Sequence, residues 1–281
     1  MRLVRYRHDG AIHTGALDGD EVIGLGDIPV IELLDPAARP SPRAVAAAPR
    51  LPVAQVELCN PLPRPRMLLA VGLNYADHAA ESGQPVPEFP IVFNKQVSCV
   101  TGPFDPIHFP RAGRMLDYEG ELAFVVGRRC RHVPEGRGLD CIGGYTVIND
   151  VSVRDWQFRS PTWTLGKSFD THGPLGPAVV TADELGDPHG LRLRTWVNGE
   201  LRQDSSTDQL IFGCGRLVEL LSTVCTLEPG DVVATGTPAG IGMTMDPSGL
   251  LRVGDVVRVE IERIGAIENP VIAEPDATAV W

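Results

Sequence analysis

The chain has 281 residues, of which 25 are Lys or Arg and 36 are Asp or Glu, giving a net charge of −11 at neutral pH. A hydrophobic fraction of 43% over that length supports one large folded unit with an appendage, or two domains, and excludes a disordered chain. The acidic balance excludes DNA, RNA and anionic membrane surfaces as general partners, although a local basic patch is compatible with it.

The first residues, Met1-Arg2-Leu3-Val4-Arg5-Tyr6, carry no apolar signal core, and no later run approaches membrane-spanning length. Six cysteines, at positions 59, 99, 130, 141, 214 and 225, form no close pair, which predicts reduced, partly buried thiols and a cytoplasmic location. Residues 1 to about 35 alternate short apolar runs with Gly and Asp turns and predict a small β-rich unit. Eight prolines follow between 36 and 65, too dense for continuous helix or sheet, so we place a boundary near 65 and expect a short helix at 43–48. The expected division is a small β-rich domain with a proline-rich linker, 1–65, and a larger domain, 66–281.

Beyond the boundary, apolar runs rich in β-branched residues recur behind turn residues at 68–71, 91–94, 122–126, 145–148, 178–181, 232–235 and 256–261. Asn198-Gly199 after the run 191–197 predicts a tight hairpin. One helix is expected at 213–225, where Leu217, Leu220, Leu221 and Val224 share a face. Segments 228–233 and 252–257 echo each other as turn-then-strand pieces. Many short strands and few helices describe a predominantly β chain with some α.

Chemistry is concentrated in the larger domain. His78 and Glu81 are three apart where a helix starting at Asn74 puts them on one face. There the carboxylate can orient the imidazole and raise its basicity, although an exposed ion pair has the same spacing. Glu119 and Glu121 point the same way from one strand, and Asp150 ends another. Buried together, such like charges require neutralisation, and three oxygen donors suit Mg²⁺ or Mn²⁺ in an open, catalytic site. Taken alone, Glu119-Gly120-Glu121 also fits the wet face of an edge strand. Arg154, Gln157 and Lys167 supply donors without competing negative charge, as recognition of carboxylate and carbonyl oxygens requires and as a solvated loop also shows. The glycine-rich segment 234–242 lacks GxxxxGK[ST] and a following helix, so its amides and Thr237 suit a substrate oxyanion better than a nucleotide.

Five ordered segments, GLNYADHAAE at 72–81, DYEGELAFVVG at 117–127, NDVSVRDWQ at 149–157, LGKSFDTHGPLGP at 165–177 and GTPAGIG at 236–242, resemble the fumarylacetoacetate hydrolase family over about residues 66–270. The resemblance implies a mixed β-roll or barrel-like catalytic domain, usually homodimeric, in one of the smaller bacterial-type members rather than the longer enzyme of tyrosine breakdown. It implies one Mg²⁺ or Mn²⁺ per subunit on Glu119, Glu121 and Asp150, and catalysis by His78, Glu81 and Lys167. Substrate contacts are implied for Tyr75, Arg154, Gln157, Gly236 and Thr237. The family commonly carries an aromatic residue where His172 stands. Its members act on short 2-oxo acids and β-dicarbonyl compounds by hydrolytic C–C cleavage, decarboxylation, enol–keto isomerisation or hydration. Because His78 and Glu81 are both present, we expect C–C hydrolysis of an acylpyruvate-type acid, His78 activating water and Lys167 steadying the oxyanion. Oxaloacetate-type decarboxylation, isomerisation or hydration of 2-hydroxy-dienedioates, a homologue that binds 2-oxo acids without reaction, and a thiol enzyme are the competing expectations.

Overall fold

A computed structural model describes residues 1–278. As the β-branched runs predict, strands dominate, and the longest helix among the described residues is the 11-residue Cys214–Val224. The body is a mixed 12-stranded sheet whose centre runs Arg2–His8, Gly173–Thr181, Ile142–Asn149, Gly120–Val126, Val232–Ala234, Leu68–Gly72 and Ile91–Asn94. Along that path the neighbours are antiparallel except Val232–Ala234 with Leu68–Gly72. Every residue of Gly120–Val126 and Ile142–Asn149 is buried, because both faces of the sheet are covered. Leu122 and Phe124 meet Leu193, Val257 and Ile261 of a second, 5-stranded sheet, while Ala123 and Val125 join a cluster with Leu3, Leu25 and Leu33. The expected mixed β architecture is what the chain adopts, in open form: the long sheet ends at Arg50–Pro52 and Ile91–Asn94 and closes no barrel.

Arg2 lies opposite Val180 and Leu3 opposite Val179, which splices the N-terminal strands into the same sheet. A division into 1–65 and 66–281, the last three residues of which lie outside the described residues, is accordingly a proposal about folding units that share a sheet. Among the described residues no helix is long and apolar enough to cross a membrane.

Local chemistry accounts for the connections. Asn198 and Gly199 both take positive φ, 52° and 80°, joining Arg192–Val197 to Glu200–Ser206 in the hairpin expected of that dipeptide. The two echoing segments are the same turn, with the Asp231 carboxylate accepting from the Glu228 amide at 2.8 Å and Asp255 from Arg252 at 2.7 Å. A short helix forms at Pro42–Ala47, its first turn held by the Ser41 hydroxyl. The face of Cys214–Val224 differs from expectation. The buried stripe is Cys214, Leu217, Val218 and Leu221, whereas Val224 is 78% exposed. The period is right, but the stripe starts one turn earlier, since a thiol packs as a small apolar group.

His172 opens onto the strand Gly173–Thr181 and is fully buried, its Nε2–H donating to the His108 carbonyl at 2.8 Å while Nδ1 has no partner. Burial drives its pKa from 6.5 down to about 3, so the folded protein keeps it neutral. Below pH 6.5 the unfolded chain binds a proton that the folded one refuses. Stability is therefore intact above that pH and is lost as the pH falls toward 3. Relative to His172→Phe, the natural chain should lose about 1.4 kcal/mol per pH unit in that window. Urea unfolding of both proteins at neutral and mildly acidic pH measures this, and parallel pH curves would contradict it.

Candidate metal centre

Register assembles the three carboxylates. Gly120 pairs with Asn149, and the Asp150 amide donates to the Glu119 carbonyl at 2.8 Å, so Asp150 arrives beside the side of the strand shared by 119 and 121. One oxygen from each of Glu119, Glu121 and Asp150 lies within 4.8 Å of the others, and all three residues are buried. Flanked by strands on both edges, Gly120–Val126 is central, which removes the wet-edge reading of Glu119 and Glu121.

Cations surround two of the three. Lys167 Nζ donates to Glu119 Oε2 at 2.6 Å and Asp150 Oδ2 at 2.8 Å. Arg154 reaches Glu119 Oε1 at 2.6 Å, Gln157 Oε1 at 2.9 Å and, through two nitrogens, Asp117 Oδ2 at 2.8 and 2.9 Å. Lys95, wholly buried, places Nζ 2.6 Å from Asp150 Oδ1 but off the direction of a hydrogen bond, so that oxygen has a charge partner and no hydrogen bond. The same Nζ donates to the Lys167 carbonyl, fixing the backbone of one cation with another. Burial alone raises the pKa of Glu119, yet Lys167 and Arg154 outweigh it and hold the group down to about 2.

Glu121 is different. It accepts from the Gly236 amide at 2.7 Å but, alone of the three, makes no ion pair among the described residues. Burial first, then repulsion from Asp150 and Glu119, pushes its pKa well above the usual carboxylate range. Four buried carboxylates, counting Asp117, face three cations, which leaves one negative charge uncompensated. A hard divalent cation fits this all-oxygen donor set: it supplies the charge that Glu121 lacks and a partner for the Asp150 oxygen that has no hydrogen bond.

A cleft of about 740 Å³ opens beside these groups, lined by His78, Glu81, Glu119, Arg154, Gln157, Lys167 and Thr237 among others. His78 and Glu81 lie on the helix Ala76–Glu81, with Nδ1 3.2 Å from Glu81 Oε2. That helix starts later than Asn74, whose amide is used as a buried clamp on the Phe212 and Thr235 carbonyls. Two further bonds tie the helix to its surroundings: the Gly240 amide donates to Glu81 Oε1 at 2.9 Å, and the Ser205 hydroxyl to Asp77 Oδ2 at 2.5 Å. Thr237 faces the cleft with its hydroxyl donating to the Gly120 carbonyl at 3.0 Å and accepting from Gln203 at 2.8 Å.

Two expected substrate contacts, Tyr75 and Gly236, are off the lining of the cleft, as Glu121 and Asp150 of the carboxylate cluster also are. Tyr75 is wholly buried outside the lining of the cleft, its hydroxyl without a partner, because position 75 precedes the helix and points into the core. Gly236, at φ 106°, is likewise off the lining and acts through its amide on Glu121. Sequence reasoning overlooked Asp117 and Lys95. Asp117 sits two residues before Glu119, hence on the same side, and accepts from Arg154 and from the Gly242 amide at 2.8 Å. Lys95 follows an apolar strand directly, a position where an unpaired lysine is costly.

A family model described as fumarylacetoacetate (FAA) hydrolase C-terminal matches residues 67–272, and another, Rv2993c-like N-terminal, matches 1–61. The chain is 47% identical over 219 residues to oxaloacetate tautomerase fahd2, mitochondrial, of Xenopus laevis, spanning 77% of this chain and 69% of that one. Among solved structures, 5-carboxymethyl-2-hydroxymuconate delta-isomerase from Mycobacterium smegmatis is 36% identical with a TM-score of 0.81. Maleylpyruvate hydrolase from Sphingobium sp. SYK-6, in complex with manganese(II) and pyruvate, is 31% identical with a TM-score of 0.80. Each structure matches 98% of this chain and 100% of its own.

Glu121→Gln tests the charge argument. The variant removes the uncompensated carboxylate, so without metal its melting temperature should equal or exceed that of the natural chain. Saturation with Mn²⁺ at about 100 times its Kd should stabilise the natural chain by about 2.7 kcal/mol, and the variant should show no such gain. Thermal unfolding with and without Mn²⁺ reads both effects, and an undiminished shift in the variant would count against Glu121 as a ligand.

Proposed function

Because the chain belongs to the fumarylacetoacetate hydrolase family, we propose that it is a divalent-metal-dependent hydrolase that cleaves a C–C bond in short acylpyruvate-type 2-oxo acids. The observation that carries this reading is the shared cleft, lined both by a histidine–carboxylate pair and by Glu119, the member of the buried carboxylate cluster that reaches it. Glu119, Glu121 and Asp150 would hold Mg²⁺ or Mn²⁺, one per subunit. When bound there, such an ion supplies Lewis-acid polarisation of the 2-oxo acid's oxygens and offsets the negative charge that gathers on them.

The chain's own groups do the rest. With the ring proton on Nδ1, His78 donates to Glu81, which fixes the tautomer and leaves the other nitrogen basic. That nitrogen takes a proton from water, and the hydroxide adds to the distal carbonyl of the substrate. The C–C bond then breaks, one fragment leaves as a carboxylic acid, and the pyruvate enolate collects a proton from His78. Lys167 and Arg154, already bonded to Glu119, keep the floor of the cleft positive enough to receive the substrate carboxylate once the buried negative charge is neutralised.

A second reading is favoured by the 47% identity to a protein named an oxaloacetate tautomerase. In it the same imidazole moves a carbon-bound proton and no water adds. A homodimer, as the family resemblance implies, and a cytoplasmic location, as the dispersed cysteines suggest, belong to the proposal as well.

His78→Ala should lower acylpyruvate cleavage by about 10²–10⁴-fold while Mn²⁺ still binds. Pyruvate release from acetylpyruvate, followed in a coupled assay, measures the loss. Equal cleavage by the variant sinks the assigned base. If the natural chain interconverts oxaloacetate tautomers yet releases no pyruvate from any acylpyruvate, proton transfer replaces hydrolysis. Turnover undiminished by exhaustive chelation would eliminate the metal from the chemistry.

A further inference from the structure

The lining of the cleft is of two kinds. Its Lys and Arg residues are both committed: Lys167 to Glu119 and Asp150, Arg154 to Asp117, Glu119 and Gln157. These are the only Lys and Arg residues among the described lining. An apolar share of the wall is made by Phe93, Trp163, Phe158, Ile241 and Met243, with uncharged Gln84 and Thr244 beside it, and the remaining ionisable lining residues are Glu119 and the His78–Glu81 pair. Phe158 stands 63% exposed there, an apolar side chain left facing solvent in the lining of a cleft.

Trp163 is built into that wall at a cost. Its φ is 60°, a left-handed conformation rare for a bulky residue, and strain of this kind is retained where the surroundings over-determine it. Gly72 supplies the room, since a Cβ there would overlap the indole. The Phe93 ring meets Trp163 edge-on at 5.5 Å, and Lys167 Nζ lies 5.3 Å from the Phe93 ring centre, so the aromatic wall is continuous with the charged floor. The Trp163 carbonyl also accepts from the Lys167 amide at 3.2 Å, so one turn carries both the wall and the lysine.

Taking the 2-oxo acid reading of this site as given, we propose that the cleft selects acids whose far end is apolar, an aryl or branched-alkyl acyl group, over acids that end in a second carboxylate, and that Trp163 sets this preference. A second carboxylate would leave water for a wall that offers it no free cation, whereas an aryl group gains by burial against Trp163 and Phe93. Hydrolysis of such a substrate yields pyruvate and an apolar carboxylic acid. The preference departs from the relative named for oxaloacetate and the structure named for maleylpyruvate, both dicarboxylic acids.

Calorimetric titration of the Mn²⁺-loaded protein with two acids that it cannot cleave tests the preference apart from the reaction: 4-phenyl-2-oxobutanoate and 2-oxoglutarate. The phenyl acid should bind at least about ten-fold more tightly. Trp163→Ala should reduce that ratio to below about three-fold, and Phe158→Arg should reduce it by strengthening 2-oxoglutarate. The arginine variant keeps the test decisive should the alanine variant misfold. Equal or tighter binding of 2-oxoglutarate by the natural chain overturns the proposal, as does a ratio that neither folded variant alters. Cleavage is read separately with benzoylpyruvate: a protein that prefers the phenyl acid but does not cleave benzoylpyruvate retains the apolar selectivity and loses the hydrolytic reading.

Discussion

The cleft is built around a charge imbalance enclosed in the centre of a sheet. Asp117, Glu119, Glu121 and Asp150 are held out of water by strands covered on both faces, and Lys95, Arg154 and Lys167 neutralise all but one of them. Solvent cannot screen the remainder, so the conflict is concentrated on Glu121. An apolar replacement would be more stable. A cluster held in this conflict is shaped for a cation to arrive from outside.

Relatives named as a tautomerase, an isomerase and a hydrolase share this fold or this sequence pattern. In this chain the carboxylate cluster is set by the central strands, whereas His78, Glu81 and much of the cleft wall lie on a short helix and on loops. Loops vary more readily than a buried sheet, so a fixed electrostatic cluster and a variable wall can coexist on one scaffold.

The sheet and its carboxylates were legible in the sequence because period-2 alternation and β-branched runs are local signals. Glu119 and Glu121 declare their common face by spacing alone, and Asn198-Gly199 declares its turn by the backbone freedom of two residues. Lys95 was not legible, since its meaning lies in Asp150, 55 positions away and reachable only once strand order is known. Tyr75 and Gly236 were assigned by their motifs to the substrate, but a motif does not reveal which neighbour faces the core and which faces the cleft. Trp163 gave no signal because a left-handed tryptophan looks like any other until its φ is seen. Helix Cys214–Val224 misled by one turn, as cysteine was not counted among the apolar residues that define its face.

The Gly240 amide bonds to Glu81 and the Ser205 hydroxyl to Asp77, so the helix that carries His78 is anchored to the glycine-rich loop at one carboxylate and to the strand Glu200–Ser206 at the other. Glu81 thereby divides its two oxygens, one taking the loop amide and the other meeting the imidazole. A change in the loop that shifted the Gly240 amide would loosen the carboxylate facing His78, which makes a glycine distant in sequence a handle on the orientation of the ring.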